Sequence, residues 1–209
     1  MIAIVDYGMG NLHSVSKAVE RLGSTAVITA DRDVLGAADA ILLPGVGAFG
    51  DAMDALRMTG LDVVLKELVS SGKPLLGICL GMQLLFDRSE EHGDHEGLGL
   101  LKGTVVRFEE GIAKVPHMGW NELKWKQSQH ALVNRLTAGH VYFVHSYHVL
   151  PSDPADLIAV CDYADREVTA IVARESIYGM QFHPEKSGEL GLQLLQQFLR
   201  MVTHRLSNS

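Results

Sequence analysis

The chain has 209 residues, enough for one good hydrophobic core and short for two ordinary domains. With 47% hydrophobic and 21% charged residues it is not a disordered chain. A formal net charge of −7 with no basic run excludes a face for nucleic-acid phosphates, and two cysteines, Cys79 and Cys161, exclude a disulfide framework.

The opening MIAIVDYG has neither a positive leader nor a long apolar stretch. No segment approaches the roughly 18 apolar residues of a membrane helix. The expectation is a cytoplasmic protein with no membrane partner. IAIVDY (2–7) reads as a buried strand, short and rich in β-branched residues. Asn11 then caps a helical pattern of Leu12, Val15, Val19 and Leu22 that stops at Gly23. TAVITA (25–30) and AILLPG (40–45) are the second and third strands. One long amphipathic helix is expected from Asp51 to Ser70, and LLGIC (75–79) is the fourth strand. Strands alternating with helices imply a parallel sheet covered on both faces.

The middle of the chain changes character. KGTVVRFEE (102–110), HMGWNELKW (117–125), HVYFVHSYHVL (140–150), LIAVCDY (157–163) and TAIVARESIYGMQFHPE (169–185) read as strands without helices between them. A closing helix carries an apolar stripe of Leu190, Leu192, Leu194, Leu195, Phe198, Leu199 and Val202. The reading is one α/β domain over 1–209 with an antiparallel insertion.

In open α/β sheets, ligands bind beyond the carboxyl ends of the strands. Three unusual stretches fall there: YGMGN (7–11), PGVGAFG (44–50) and GICLG (77–81). The last has the nucleophile-elbow spacing with cysteine in place of serine, with Gly77 and Gly81 relieving a crowded strand-to-helix turn. That turn sets Cys79 at a helix N-terminus, where the dipole favours thiolate. Taken alone, the pentapeptide fits a buried core cysteine equally well.

QFHPEKS (181–187) supplies a partner, with His183 and Glu185 two apart in an extended segment and so on one side. A carboxylate beside an imidazole fixes its tautomer and stabilises the imidazolium, as a base acting on a thiol requires. Gly45 and Gly47 allow backbone N–H groups close to a ligand, as an oxyanion hole demands, and the N–H of Leu80 is the second donor. Each signal alone has a bland reading; in the order Cys…His-x-Glu they reinforce one another.

Other motifs fail. Gly8 and Gly10 begin a dinucleotide fingerprint, but His13 occupies its third glycine position. Gly72-Lys73 ends like a phosphate loop, but Pro74 stands where Ser or Thr belongs. His92, Asp94 and His95 lack a metal-ligand spacing and read as a solvated loop, and Cys161 reads as strand filling.

On DYGMGNLHSV, LPGVGAFGDAM, GICLGMQLLF, KVPHMGWNEL, YFVHSYHV and GMQFHPEKS, the chain resembles the class I, triad-type glutamine amidotransferases from end to end. The resemblance implies their flavodoxin-like fold, a largely parallel central sheet flanked by helices with additional antiparallel strands. It implies Cys79 as nucleophile, His183 as proton carrier, Glu185 as its orienting group, and Val46, Gly47 and Leu80 around the oxyanion. Gln83, Glu91, His145, Ser146 and Tyr147 match the glutamine site. For the carboxylate in that set, the neighbouring Glu90 is the alternative register.

VPHMGWN and DYGMGN resemble a narrower branch of that family, and the resemblance implies a separate cyclase partner of histidine biosynthesis, a (β/α)8 barrel that takes up the ammonia. Asn11, Trp120, Asn121 and Tyr142 match positions at that docking face. No metal and no cofactor are implied. The rival readings are a cysteine hydrolase acting on another amide or ester, a non-catalytic binding relative, and a glutaminase serving a different synthase.

Overall fold

Apolar runs of four to six residues make the parallel half of a wide sheet. In the computed structural model, which describes residues 1–109, 111 and 114–207, the first is β1 (Ile2–Val5). Its alternate residues serve two cores: Ile2 and Ile4 pack on one face of the sheet, Ala3 and Val5 on the other. Asn11 caps α1 (Leu12–Arg21), its Oδ1 accepting from the Ser14 N–H at 3.3 Å. β2 (Ala26–Thr29) is followed by α2 (Arg32–Ala37), a short helix capped by Asp31 that the hydrophobic pattern did not single out.

β3 (Ala40–Gly45) leads to two helices, α3 (Phe49–Met58) and α4 (Leu61–Ser70), where one was expected. The break falls at Gly60, whose φ of 70° lies in the left-handed region that ends one helix and redirects the chain. β4 (Leu75–Cys79) then runs directly into α5 (Leu80–Leu84).

β5 (Phe86–Ser89), β6 (His95–Glu96) and β7 (Leu101–Arg107) come next; β7 ends short of the expected strand, and Glu110 lies outside the described residues. β8 (His117–Trp125) matches its expected span. HVYFVHSYHVL is two strands, β9 (His140–His145) and β10 (Tyr147–Pro151), which bend at Ser146 and join different sheets. Buried positions run 141, 143 and 145, then change phase to 148 and 149, so one pleat cannot serve both halves. β11 (Leu157–Tyr163), β12 (Arg166–Arg174) and β13 (Ile177–Met180) follow, and α6 (Gly188–Ser207) closes the fold.

Among the described residues the large sheet has the order β2-β1-β3-β4-β13-β12-β11-β8-β9, and a smaller one the order β10-β7-β5-β6. β13 pairs parallel with β4 and antiparallel with β12. Antiparallel β12, β11, β8 and β9 therefore continue the parallel sheet, while β10, β7, β5 and β6 make the separate smaller one. The topology also explains the site. Gly45 lies opposite Cys79 and Met180 opposite Ile78, so three strand ends from distant parts of the sequence deliver their loops to one place.

Candidate active site

Cys79 has φ 57° and ψ −115°, a backbone state that costs a non-glycine residue about 1–3 kcal/mol and persists only where surroundings enforce it. The flanking glycines provide that enforcement. A Cβ on Gly81 would lie 1.7 Å from the Leu43 carbonyl oxygen, and one on Gly77 would lie 2.5 Å from the Gly81 oxygen. The turn packs backbone on backbone, with Cys79 at its apex. α5 has only five residues, so the dipole expected to favour a thiolate is that of a little over one turn. The stronger positive group is His183.

His183 Nδ1 lies 2.9 Å from Glu185 Oε1, and both side chains are almost wholly buried. They do not share one strand, as the sequence pattern implied. β13 ends at Met180, His183 is extended, and Glu185 sits in a 3₁₀ turn over Pro184–Lys186. Ser187 fixes that turn: its Oγ donates to the His183 carbonyl at 2.6 Å and accepts from the Tyr142 N–H at 2.9 Å. Burial opposes charge on His183, but hydrogen bonds with Cys79 and Glu185 outweigh it and raise its pKa to about 10. His183 is therefore set up to carry the proton beside the Cys79 sulfur.

These groups open onto a cleft of ≈ 360 Å³. Val46 and Gly47 line it from the loop after β3, and Leu80 and Gln83 line it from α5. Glu91 closes another side, its Oε2 accepting from the Phe49 N–H at 2.9 Å, while Glu90 is exposed and does not line the cleft. His145, Ser146 and Tyr147 enter from the bend between β9 and β10. Glu185 stands behind His183 and does not reach the cleft surface. Pro116 and Val144 also line the cleft; nothing in the sequence pattern marked them.

Two further residues escaped the sequence reading. Gln181 is fully buried and accepts from Gln83 Nε2 at 3.0 Å, while the same nitrogen donates to the Tyr147 carbonyl at 3.0 Å. Its position two residues before His183 is the signal that was available. Tyr7 is buried at the end of β1 and donates to the Pro44 carbonyl at 2.7 Å, at the base of the glycine loop. Burial first, then the charge on Cys79, keeps its phenol from ionising.

The expected docking residues divide. Trp120 is 54% exposed and lies opposite Tyr142 in register, their ring centroids 5.9 Å apart, and Met118 beside it is 61% exposed. Asn11 is exposed and occupied as the α1 cap. Asn121 turns inward, bonding to His117 and to the Asp162 carbonyl. Among the described residues, no group of three His, Cys, Asp or Glu side chains converges on a metal position, and no helix is long and apolar enough to cross a membrane.

Residues 3–202 match the family model for glutamine amidotransferase class-I. Imidazole glycerol phosphate synthase subunit HisH of Geobacillus thermodenitrificans is 52% identical, with 98% of each chain covered. The protein of the same description from Bacillus subtilis is 50% identical, again over 98% of each. A crystal structure of a glutamine amidotransferase superposes with a TM-score of 0.77 at 20% identity, covering 97% of this chain and all of its own, a likeness of fold.

Proposed function

The chain belongs to the class I glutamine amidotransferases, and we propose that it acts as one domain over 1–209, the glutaminase subunit of an imidazole glycerol phosphate synthase in histidine biosynthesis. The observation that carries this reading is the His183–Glu185 pair, 2.9 Å apart, set against the strained Cys79 elbow in a cleft of ≈ 360 Å³.

The chemistry follows from the charges. The Cys79 thiolate attacks the side-chain amide carbon of glutamine, and the carbonyl electrons move to oxygen. Backbone N–H groups of Leu80 and of the Val46–Gly47 segment receive that oxyanion. The tetrahedral intermediate collapses as His183 gives its proton to the leaving nitrogen, which departs as ammonia and leaves a γ-glutamyl thioester. Neutral His183 then takes a proton from water, the hydroxide attacks the thioester, and the sulfur leaves as thiolate with glutamate as product. Glu185 acts on substrate through His183, holding its tautomer. Gln83, Glu91, His145, Ser146 and Tyr147 hold the glutamine.

The relatives are by name subunits of a synthase, so a second subunit is the partner. Our finer reading is a heterodimer with a (β/α)8-barrel cyclase, cytoplasmic and without cofactor on this chain. The ammonia enters that barrel for the synthesis of imidazole glycerol phosphate and AICAR. The exposed Met118 and Trp120, beside Tyr142, fit a docking face with Asn11.

The test is glutamate release from glutamine by the chain alone and with the cyclase subunit carrying its nucleotide-like ligand, with Cys79→Ala alongside. The expected result is a large, Cys79-dependent rise with the liganded partner. No rise, with a partner active on supplied ammonia, would assign the chain to another synthase.

A further inference from the structure

Between the cleft and β8, four polar contacts run in series. His145 Nδ1 lies 2.8 Å from the Tyr147 carbonyl oxygen, and His145 Nε2 lies 2.9 Å from His117 Nδ1. His117 Nε2 lies 2.7 Å from Asn121 Oδ1, and Asn121 Nδ2 lies 3.1 Å from the Asp162 carbonyl oxygen. At such separations each contact needs one proton between its two atoms. Both ends of the row are carbonyls, which only accept. A neutral imidazole supplies one N–H, and the amide turns one N–H-bearing side to the row. Two neutral histidines and Asn121 thus bring three protons to four contacts. Changing tautomers moves the empty contact along the row, and turning the amide over moves it to Asp162. Neither removes it.

We propose that the His117–His145 pair holds a fourth proton, carried on His117, and that this buried cation positions the Tyr147 carbonyl in the wall of the cleft. The His117 ring is fully buried between two aromatic faces, Tyr163 at 3.8 Å and Phe143 at 4.8 Å between centroids, with planes inclined by 19° and 18°. Stacked aromatic faces stabilise a cation. Phe108 presents a third ring, edge-on at 6.2 Å.

His145 is the poorer seat. Burial pushes its pKa down to about 3 against the bond to Tyr147, and His117, His148 and His183 push the same way. Burial lowers the His117 pKa below the ordinary histidine value and the Asn121 bond offsets only part of that; the unfilled contact in the row and the two stacked ring faces are what favour the proton there. The Asp162 carboxylate pairs with Lys124, and Glu109 pairs with Arg166, the two charges that act on His148. The cation on His117 is therefore held by two charge-assisted hydrogen bonds and by ring faces, not by a carboxylate.

The Tyr147 carbonyl also accepts from Gln83, so it is held from two sides. Without the fourth proton one of the four contacts opens, and the row that braces the β9–β10 bend is no longer continuous. The consequence for glutamine rests on the reading of the cleft given above; the proton count does not.

The test is a set of long-range ¹H–¹⁵N spectra of the full chain labelled at histidine nitrogen, recorded from about pH 5.5 to 9. The expected result is a His117 ring with both nitrogens protonated near pH ~7.5, above the ordinary histidine value of about 6.5. Asn121→Ala removes one acceptor and weakens the proton affinity of His117 about tenfold. In the wild type, the glutamine KM rises over the range in which that proton leaves, with kcat changed less. Singly protonated His117 and His145 rings near pH ~7.5 overturn the proposal, as does an Asn121→Ala titration that does not move. Should that variant fail to fold, the wild-type spectrum decides alone. The spectra need no glutaminase activity, so failure here and failure of the glutaminase reading are separate results.

Discussion

A thiolate and an imidazolium in contact titrate as one system, and each sets the other's charge. With His183 raised to about 10 by Cys79 and Glu185 against its burial, removing the sulfur has two consequences. Cys79→Ala abolishes glutamate release while the protein still melts cooperatively, and the His183 titration followed by NMR moves down. The raised pKa also sets a sign for stability. Its contribution is complete below the unfolded histidine value of about 6.5 and is lost as pH rises through about 10. Wild-type melting temperature therefore falls over that window more than that of Cys79→Ala. His183→Ala costs about as much rate as Cys79→Ala, since nucleophile and base act as a unit. Glu185→Gln lowers kcat by about 10²–10⁴-fold, less than either, because it upsets orientation and not the nucleophile. A loss equal to that of Cys79→Ala would show that Glu185 does more than orient.

At the scale of elements, the elbow is the least tolerant joint. Gly81→Ala places a methyl 1.7 Å from a backbone oxygen of β3, so strand or turn must move. The expected outcome is a loss beyond about 4 kcal/mol, seen as insoluble protein or a collapsed urea midpoint. Phe198, fully buried on α6, makes a contrasting case. Phe198→Ala leaves the backbone alone and removes packing, at about 3–5 kcal/mol with an unchanged urea slope. The elbow's glycines and the α6 stripe were both legible in the sequence, because a required small residue and a 3.6-residue period are local facts. The bend at Ser146 was not. The strand-forming composition continues straight through it, and only the change of buried phase, set by two different sheets, reveals the corner.

At the scale of the whole molecule, the exposed pair Met118 and Trp120 lies on the strand whose next inward residues, His117 and Asn121, lead to the cleft. Trp120→Ala is expected to weaken cyclase binding by about 2 kcal/mol, measured by calorimetry. It should leave the melting temperature of the isolated chain nearly unchanged, because a half-exposed ring adds little to the core. A large fall in melting temperature with unaltered binding would move Trp120 from the interface to the fold.

The sequence by itself determined the chemical parts: a cysteine on a glycine-flanked turn, a histidine with its carboxylate two residues on, and strands apolar enough to be covered on both faces. Each follows from residue type and short-range spacing, which act within a few bonds or one turn. Only the tertiary structure decided which parts meet. Nothing local places β13 beside β4 with Gly179 opposite Gly77, yet that pairing brings His183 to Cys79. The same holds for Asn121, which the family resemblance put at a docking face and whose side chain turns inward. Its partners, His117 and the Asp162 carbonyl, come together only after β8, β9 and β11 have paired. Long-range strand order answers to shape and loop closure across the whole chain, and that information has no period a sequence can display.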